Sequence, residues 1–489
     1  MTRTRIVGAT LYDGTGSPGH PADVTIRDGR IASVDPASDM VADGAIDGRG
    51  LALAPGFIDA HTHDDLMAIT APAMLPKITQ GVTTVVVGNC GISAGAGRAT
   101  GPTLPDPMIL LGAPEAFQYE SFAAYAEAVE AAGPATNVVA LVGHTALRAR
   151  HLDRLDREAT EEECLSMRAD LAEALAAGAF GFSTGLAYAN AGSASTREVM
   201  AIAAALRDTG ALYATHLRSE GAAILDAIDE AVAIAHDAAA PLIVSHLKCA
   251  GASQHGRSGE ILDRLEQAAK VHPVGCDCYP YTASSSTLDP RQVVPETPIM
   301  ISWSDPEPAQ AGRMLSDIAD DWGIDPVEAA GRLQPAGAVY HCINERDVDR
   351  ILAHRLTMVG SDGLPCDPRP HPRLWGSFPR VLAYYVRTRG LLTLPVAIRK
   401  MTGLAADRLG LVDRGYIRPG LAADLVLFDP ERIADRASYD DPQQPADGVL
   451  GVWVNGIATL EQGRVTGARG GRMLRRPGTK EHFNGKDIS

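Results

Sequence analysis

The chain has 489 residues, with 44 Lys and Arg against 60 Asp and Glu and a formal net charge of −16. Hydrophobic residues make up 45 % and charged residues 21 %; that supplies a large core and excludes a mainly disordered chain. The acidic balance excludes a general nucleic-acid binder, which needs a basic face, yet leaves room for an anionic small substrate met by a few local cations.

The first 54 residues read as short strands, 5–9, 23–27 and 30–34, separated by Gly and Asp turns. No apolar run follows Arg3 and Arg5, so no secretory signal is expected. No stretch approaches the roughly 18 apolar residues of a membrane span. The seven cysteines are scattered and do not form a disulfide framework, so the cytoplasm is the expected compartment.

Eight runs then follow: 57–63, 81–90, 137–144, 178–186, 212–218, 241–248, 274–281 and 356–362. Each is nearly continuous in apolar residues, as strands buried on both faces are. Amphipathic helical patterns lie between them at 121–132, 161–177, 196–209, 221–240 and 258–269. Within 221–240, Ile224, Ile228, Ala231, Val232 and Ala235 share one face. This alternation predicts an α/β fold, a (β/α)8 TIM-like barrel over 55–407. After the seventh strand the segment 282–344 is far longer than a barrel loop. It carries Pro290, Pro295, Pro298, Pro306 and Pro308, then helical material at 309–333, and reads as a lid-like insertion.

Further strands are expected at 424–428, 449–454 and 457–461, with Asn455-Gly456 as a hairpin turn. The two ends, 1–54 and 408–489, are expected to pair into one small discontinuous β domain. The polar stretch 472–489 is expected to be extended or partly mobile.

The chemistry lies where the runs end. His61 and His63 sit two apart at the end of the first run. Cys90 closes the second, His216 and His246 stand near the ends of the fifth and sixth, and Asp362 closes the eighth. Residues i and i+2 of a strand face the same side, and barrel active sites are built at the C-terminal strand ends. Taken singly, a strand-end His is a hydrogen-bonding residue, an apolar Cys a packing residue and an Asp a helix cap. Taken together they are the ligand types of zinc. Lys248, two residues after His246, and Arg291 are candidate cations for a substrate carboxylate, with Tyr188, Tyr279 and a hydroxyl from 284–286 as donors.

The segments GFIDAHTHDD, GVTTVVVGNCGIS, STGLAY, THLRSEG, SHLK, DCYPY, GSDGLP, HPRLWGSFPRVL and RPGLAADLVLFDP resemble, in this order, those of the D-aminoacylases, the N-acyl-D-amino-acid deacylases of the amidohydrolase superfamily. The likeness runs from the N-terminal strands to GVWVNG and GRMLRR. It implies one tight zinc held by Cys90, His216 and His246. It also implies a weaker second site at His61 and His63, with Cys90 bridging and Asp362 nearby. Many superfamily relatives bridge with a carboxylated Lys on the fourth strand; residues 178–186 contain none. The resemblance implies hydrolysis of N-acyl-D-amino acids by metal-activated water, with Asp362 carrying the proton from water to the departing nitrogen. It supports Tyr188, Lys248, Tyr279, Ser285 and Arg291 as substrate-binding positions. The D preference rests on the resemblance alone. The loop 94–105, with Arg98 as its only charge, favours neutral or apolar side chains over acidic ones.

Other residues receive quieter readings. His144 is expected to be structural or to support a ligand from behind, and Arg218 to support the site or form an internal ion pair. His255 and His371 lie in loops near the mouth. Asp64 and Asp65 are read as hydrogen-bond partners or caps, and Cys276 and Cys278 as strand residues. The competing enzyme readings are a hydantoinase-like cyclic amidase, which needs the missing Lys, and a D-residue dipeptidase. A scaffold on a degenerate barrel would be expected to have lost ligands, and none is lost. The expected partner is a small molecule, with neither nucleic acid nor membrane; the oligomeric state is left open.

Overall fold

The structure is a computed structural model that describes residues 3–38, 41, 43–98 and 104–478. Eight strands run parallel in sequential order: Phe57–Asp59, Val82–Val87, Asn137–Gly143, Gly181–Gly185, Leu212–His216, Leu242–Val244, Val274–Cys278 and Thr357–Val359. Almost every strand residue is buried, which is why their sequences read as continuous apolar runs. The ring closes beyond the regular ladder, through a lone parallel bridge between Thr62 and Gly363. Three backbone bonds support it: Ala60 N to Val359 O at 3.2 Å, Asp362 N to His61 O at 2.7 Å and His63 N to Gly363 O at 3.1 Å.

The helices form where the periodicity places them. Phe122–Ala132 is capped by Ser121, whose side chain accepts from Ala124 N. Glu161–Ala176 begins in a capping box between Thr160 and Glu163. Ile224–Asp237 buries Ile224, Ala227, Ile228, Ala231, Ile234 and Ala235 against the barrel. The pattern at 196–209 splits into a helix, Thr196–Ala203, and a 3-10 turn, Ala204–Leu206.

Both chain ends enter one nine-stranded sheet. Its junction is the antiparallel pairing of Leu425–Phe428 with Ala52–Pro55, so the N-terminal part of the sheet extends through Pro55. The hairpin turn has Asn455 at φ 48° and Gly456 at φ 76°, the double left-handed geometry that Asn-Gly supplies at low cost. The stretch 472–478 contains no helix and runs beside the third strand through a parallel bridge between Val138 and Met473. Met473 and Leu474 are buried, and backbone bonds tie Arg472 O and Leu474 N to Val138. Two apolar side chains in a polar tail are enough to anchor it at the foot of the third strand. Residues 479–489 lie outside the described residues.

The insertion carries its own small core. Strands Ser284–Thr287 and Ile299–Ser304 flank Ala336–Tyr340 in an antiparallel sheet. Helices Leu315–Trp322 and Pro326–Leu333 pack on it through Leu315, Ile318, Ala329 and Leu333. They are separated at Gly323, whose φ of 65° ends the first helix. Among the described residues no helix is long and apolar enough to cross a membrane.

Candidate metal centre

The six candidate ligands converge at the C-terminal mouth of the barrel. One ligand atom from each of His61, Cys90, His246 and Asp362 lies within 4.8 Å of the others, and all four residues are buried. Cys90 Sγ sits 3.3 Å from His61 Nε2 and 3.2 Å from His246 Nε2. His63 Nε2 is 3.2 Å from Asp362 Oδ1. The His216 ring lies edge-on to His246, with centroids 4.5 Å apart. His216 is the last residue of its paired strand, while Leu242–Val244 and Thr357–Val359 end before His246 and Asp362 do.

Leaving the ladder lets the backbone take unusual conformations. Cys90, His246 and Asp362 have φ of 54°, 34° and 50°, in the region that L side chains rarely adopt. Each such residue costs of order 1–3 kcal/mol and persists where the surroundings hold it. At Cys90 the brace is Ser183 on the fourth strand, which accepts from Gly91 N at 3.1 Å and donates to Gly88 O.

The outer faces of the histidines fit a metal. His61 Nδ1 faces Asp277 Oδ2 at 3.4 Å, and His246 Nδ1 faces Glu220 Oε1 at 3.1 Å. On His61 a carboxylate at Nδ1 leaves Nε2, which faces Cys90, free as a ligand. His63 Nδ1 and His216 Nδ1 are buried without a hydrogen-bond partner among the described residues. Burial alone would raise the Cys90 thiol, but the His246 and His61 rings outweigh it and hold the group well below its usual range. A thiolate is the form that binds zinc. Burial likewise opposes ionisation of Asp362, and Arg373 and His246 overcome it. Arg373 Nη1 lies 2.8 Å from Asp362 Oδ2.

Beside these groups is a cavity of ≈ 260 Å3 lined by barrel and insertion together. Tyr188, His216, His246, Lys248 and Asp362 form the barrel side; Ser285 and Arg291 belong to the insertion side. Tyr188 packs its ring 4.8 Å from that of His216. Lys248 is already engaged, pairing with Glu220 and lying 2.8 Å from His246 Nδ1. Arg291 is 67 % exposed and paired with Asp289 at 2.7 Å. Tyr279 is buried with two cations near its ring, Lys248 at 5.8 Å and Arg373 at 4.7 Å from its centre.

The remaining residues find ordinary partners. His144 bonds Glu198 at 3.1 Å, and Arg218 forms an internal ion pair with Glu230. His371 bonds Tyr439 and the Arg373 backbone N–H; His255 is exposed and reaches Cys342 O. Asp65 accepts from Gly88 N and Ala94 N, and Asp64 faces Lys77 at 3.2 Å. Cys276 and Cys278 lie in the seventh strand, where Cys276 contacts Thr357. Within the loop 94–105, residues 99–103 lie outside the described residues.

Sequence reasoning assigned no role to Glu220, Asp277, Arg373 or Lys77. A signal existed for Asp277: a carboxylate inside a strand buried on both faces needs a partner. Glu220, Arg373 and Lys77 had no such local signal, because their partners are distant in sequence.

Residues 44–319 and 314–457 match the amidohydrolase family. An N-acyl-D-aspartate deacylase of Alcaligenes xylosoxydans xylosoxydans is 46 % identical over 96 % of this chain and 94 % of its own. A crystal structure of D-aminoacylase superposes with a TM-score of 0.94 at 45 % identity, covering 97 % of this chain and 99 % of that one. An N-acyl-D-glutamate deacylase from Bordetella bronchiseptica, solved with zinc and a phosphonate mimic of the tetrahedral intermediate, has a TM-score of 0.92 at 42 % identity, with coverage of 96 % and 99 %. A D-hydantoinase, at 16 % identity and a TM-score of 0.59, shares the fold alone.

Proposed function

We propose, for a chain that belongs to the amidohydrolase family, the metal-dependent hydrolysis of N-acyl-D-amino acids to a carboxylate and a free D-amino acid. The observation that carries it is the buried set His61, Cys90, His246 and Asp362 beside a cavity, in a chain 46 % identical to an N-acyl-D-aspartate deacylase. Cys90, His216 and His246 would hold a tight zinc, and His61 and His63 a weaker second ion with Cys90 between them. Zinc, when bound, supplies a Lewis acid that activates water and polarises an amide carbonyl.

The chain's own residues do the rest. Asp362, kept ionised by Arg373, takes the proton from the attacking water and passes it to the amide nitrogen as the C–N bond breaks. Tyr188, Lys248, Tyr279, Ser285 and Arg291 stay the substrate-binding candidates, and Arg373 is added to them as a proposed cation for the α-carboxylate. Tyr279 Oη, Ser285 Oγ and Arg373 Nε are buried without hydrogen-bond partners among the described residues. Arg373 also touches both neighbours, through the Tyr279 ring and the Ser285 carbonyl at 3.1 Å. Unpartnered buried donors grouped this way match a ligand carboxylate.

The test is amine release from N-acetyl-D- and N-acetyl-L-amino acids, with hydantoins as a control. Release from the D series alone is expected. Neutral side chains should exceed acidic ones, since Asp106 and Asp289 also line the cavity. Cleavage of the L series alone, or of hydantoins alone, would refute the assignment.

Arg373→Met is expected to lower kcat/KM for the free acids by about 10²-fold or more, the scale for losing one member of a buried charge pair. It should also erase the preference for an acid over its carboxamide analogue. Steady-state kinetics on the two substrates reads both; an unchanged preference would place the carboxylate elsewhere.

A further inference from the structure

Lys77 lies on the short helix Leu75–Ile78, outside the candidate ligand set, and its side chain is fully buried. Its ammonium meets Asp59 Oδ2 at 2.8 Å, Thr62 Oγ1 at 2.9 Å, Ser361 Oγ at 2.9 Å and Asp64 Oδ2 at 3.2 Å. Ser361 also donates to Asp59 Oδ2 at 2.6 Å through its hydroxyl and to Asp59 Oδ1 at 2.7 Å through its N–H. Thr62 stands between His61 and His63; Ser361 immediately precedes Asp362.

The first and eighth strands are the two that the ladder leaves unjoined. Among the described residues their backbones meet only at the Thr62–Gly363 bridge and a few hydrogen bonds. Side chains therefore complete the closure at the one seam whose two edges carry His61, His63 and Asp362. We infer that Lys77 is a positioning residue for the metal centre: by clamping Asp59, Thr62 and Ser361 it sets the two histidines of the first edge against the aspartate of the eighth. The ammonium touches none of the three ligands and acts through the residues beside them.

This inference rests on the proposed function only for its kinetic readout; its metal readout stands apart. Lys77→Met and Ser361→Ala are compared with the wild-type holoenzyme. Retained metal is measured against graded chelator, and cobalt-substituted protein is followed by its visible spectrum. Half-loss of metal is expected at 10- to 100-fold lower chelator, the range for partners that orient ligands. The cobalt spectrum should change, and kcat should fall by a similar factor with KM within about twofold. Lys77→Met leaves two buried carboxylates uncompensated and risks misfolding; Ser361→Ala removes one hydroxyl and decides the matter in that event. Wild-type metal retention, spectrum and kcat in every variant that folds, with only thermal stability reduced, would overturn the inference. A wild-type enzyme inactive on all N-acyl-D-amino acids would instead refute the proposed function and leave the metal test standing.

Discussion

Asp362→Asn is expected to lower kcat by about 10³-fold, within the range for loss of a general acid–base group. Asparagine keeps the shape and one acceptor oxygen but accepts no proton from water. In the structure Asp362 Oδ1 faces His63 and Oδ2 faces Arg373, so one oxygen is aimed at the histidine and cysteine cluster while the other faces a cation. Circular dichroism should match the wild type, and elemental analysis should find much of the metal retained. A variant that keeps near-wild-type turnover would exclude the proton role. Loss of metal in step with rate would make Asp362 a ligand first.

Cys90→Ala should have a comparable effect by a different route. Sγ lies between two imidazole nitrogens, 3.3 and 3.2 Å away, and the His246 and His61 rings hold the thiol well below its usual range, so that as a thiolate it would add negative charge beside that of Asp362. Alanine leaves the histidines but removes that charge. Metal content after dialysis should fall well below one equivalent, and kcat/KM should fall with it. A Lewis acid supplies several kcal/mol of transition-state stabilisation, and about 4 kcal/mol corresponds to roughly 10³-fold. Full metal content with full activity in Cys90→Ala would remove the cysteine from the centre.

Most of the architecture was legible because its signals are local. Eight apolar runs, their intervening amphipathic stretches and the Asn455-Gly456 turn each follow from a few neighbouring residues. The ligand candidates were legible too, because a barrel turns strand ends into neighbours, so residues far apart in sequence share one predictable location. Arg291 and Arg373 show where this reasoning stops. Both follow a barrel strand, and both are arginines. One is 67 % exposed and tied to Asp289; the other is buried against Asp362, Tyr279 and Ser285. No local pattern separates them.

The amino-acid sequence by itself determined the barrel, the β sheet shared by the chain ends, the insertion and the order in which six candidate ligands fall at the strand ends. Each is written in periodicity, turn chemistry or the order of residues along the strands. Only the tertiary structure decided which charges serve those six. Asp277 and Glu220 behind the histidines, Arg373 behind Asp362 and Lys77 at the seam are recruited from up to 284 residues away. The physical reason is that burying a charge forces a partner upon it, while the identity of that partner depends on which side chains the closed barrel brings within about 3 Å of it.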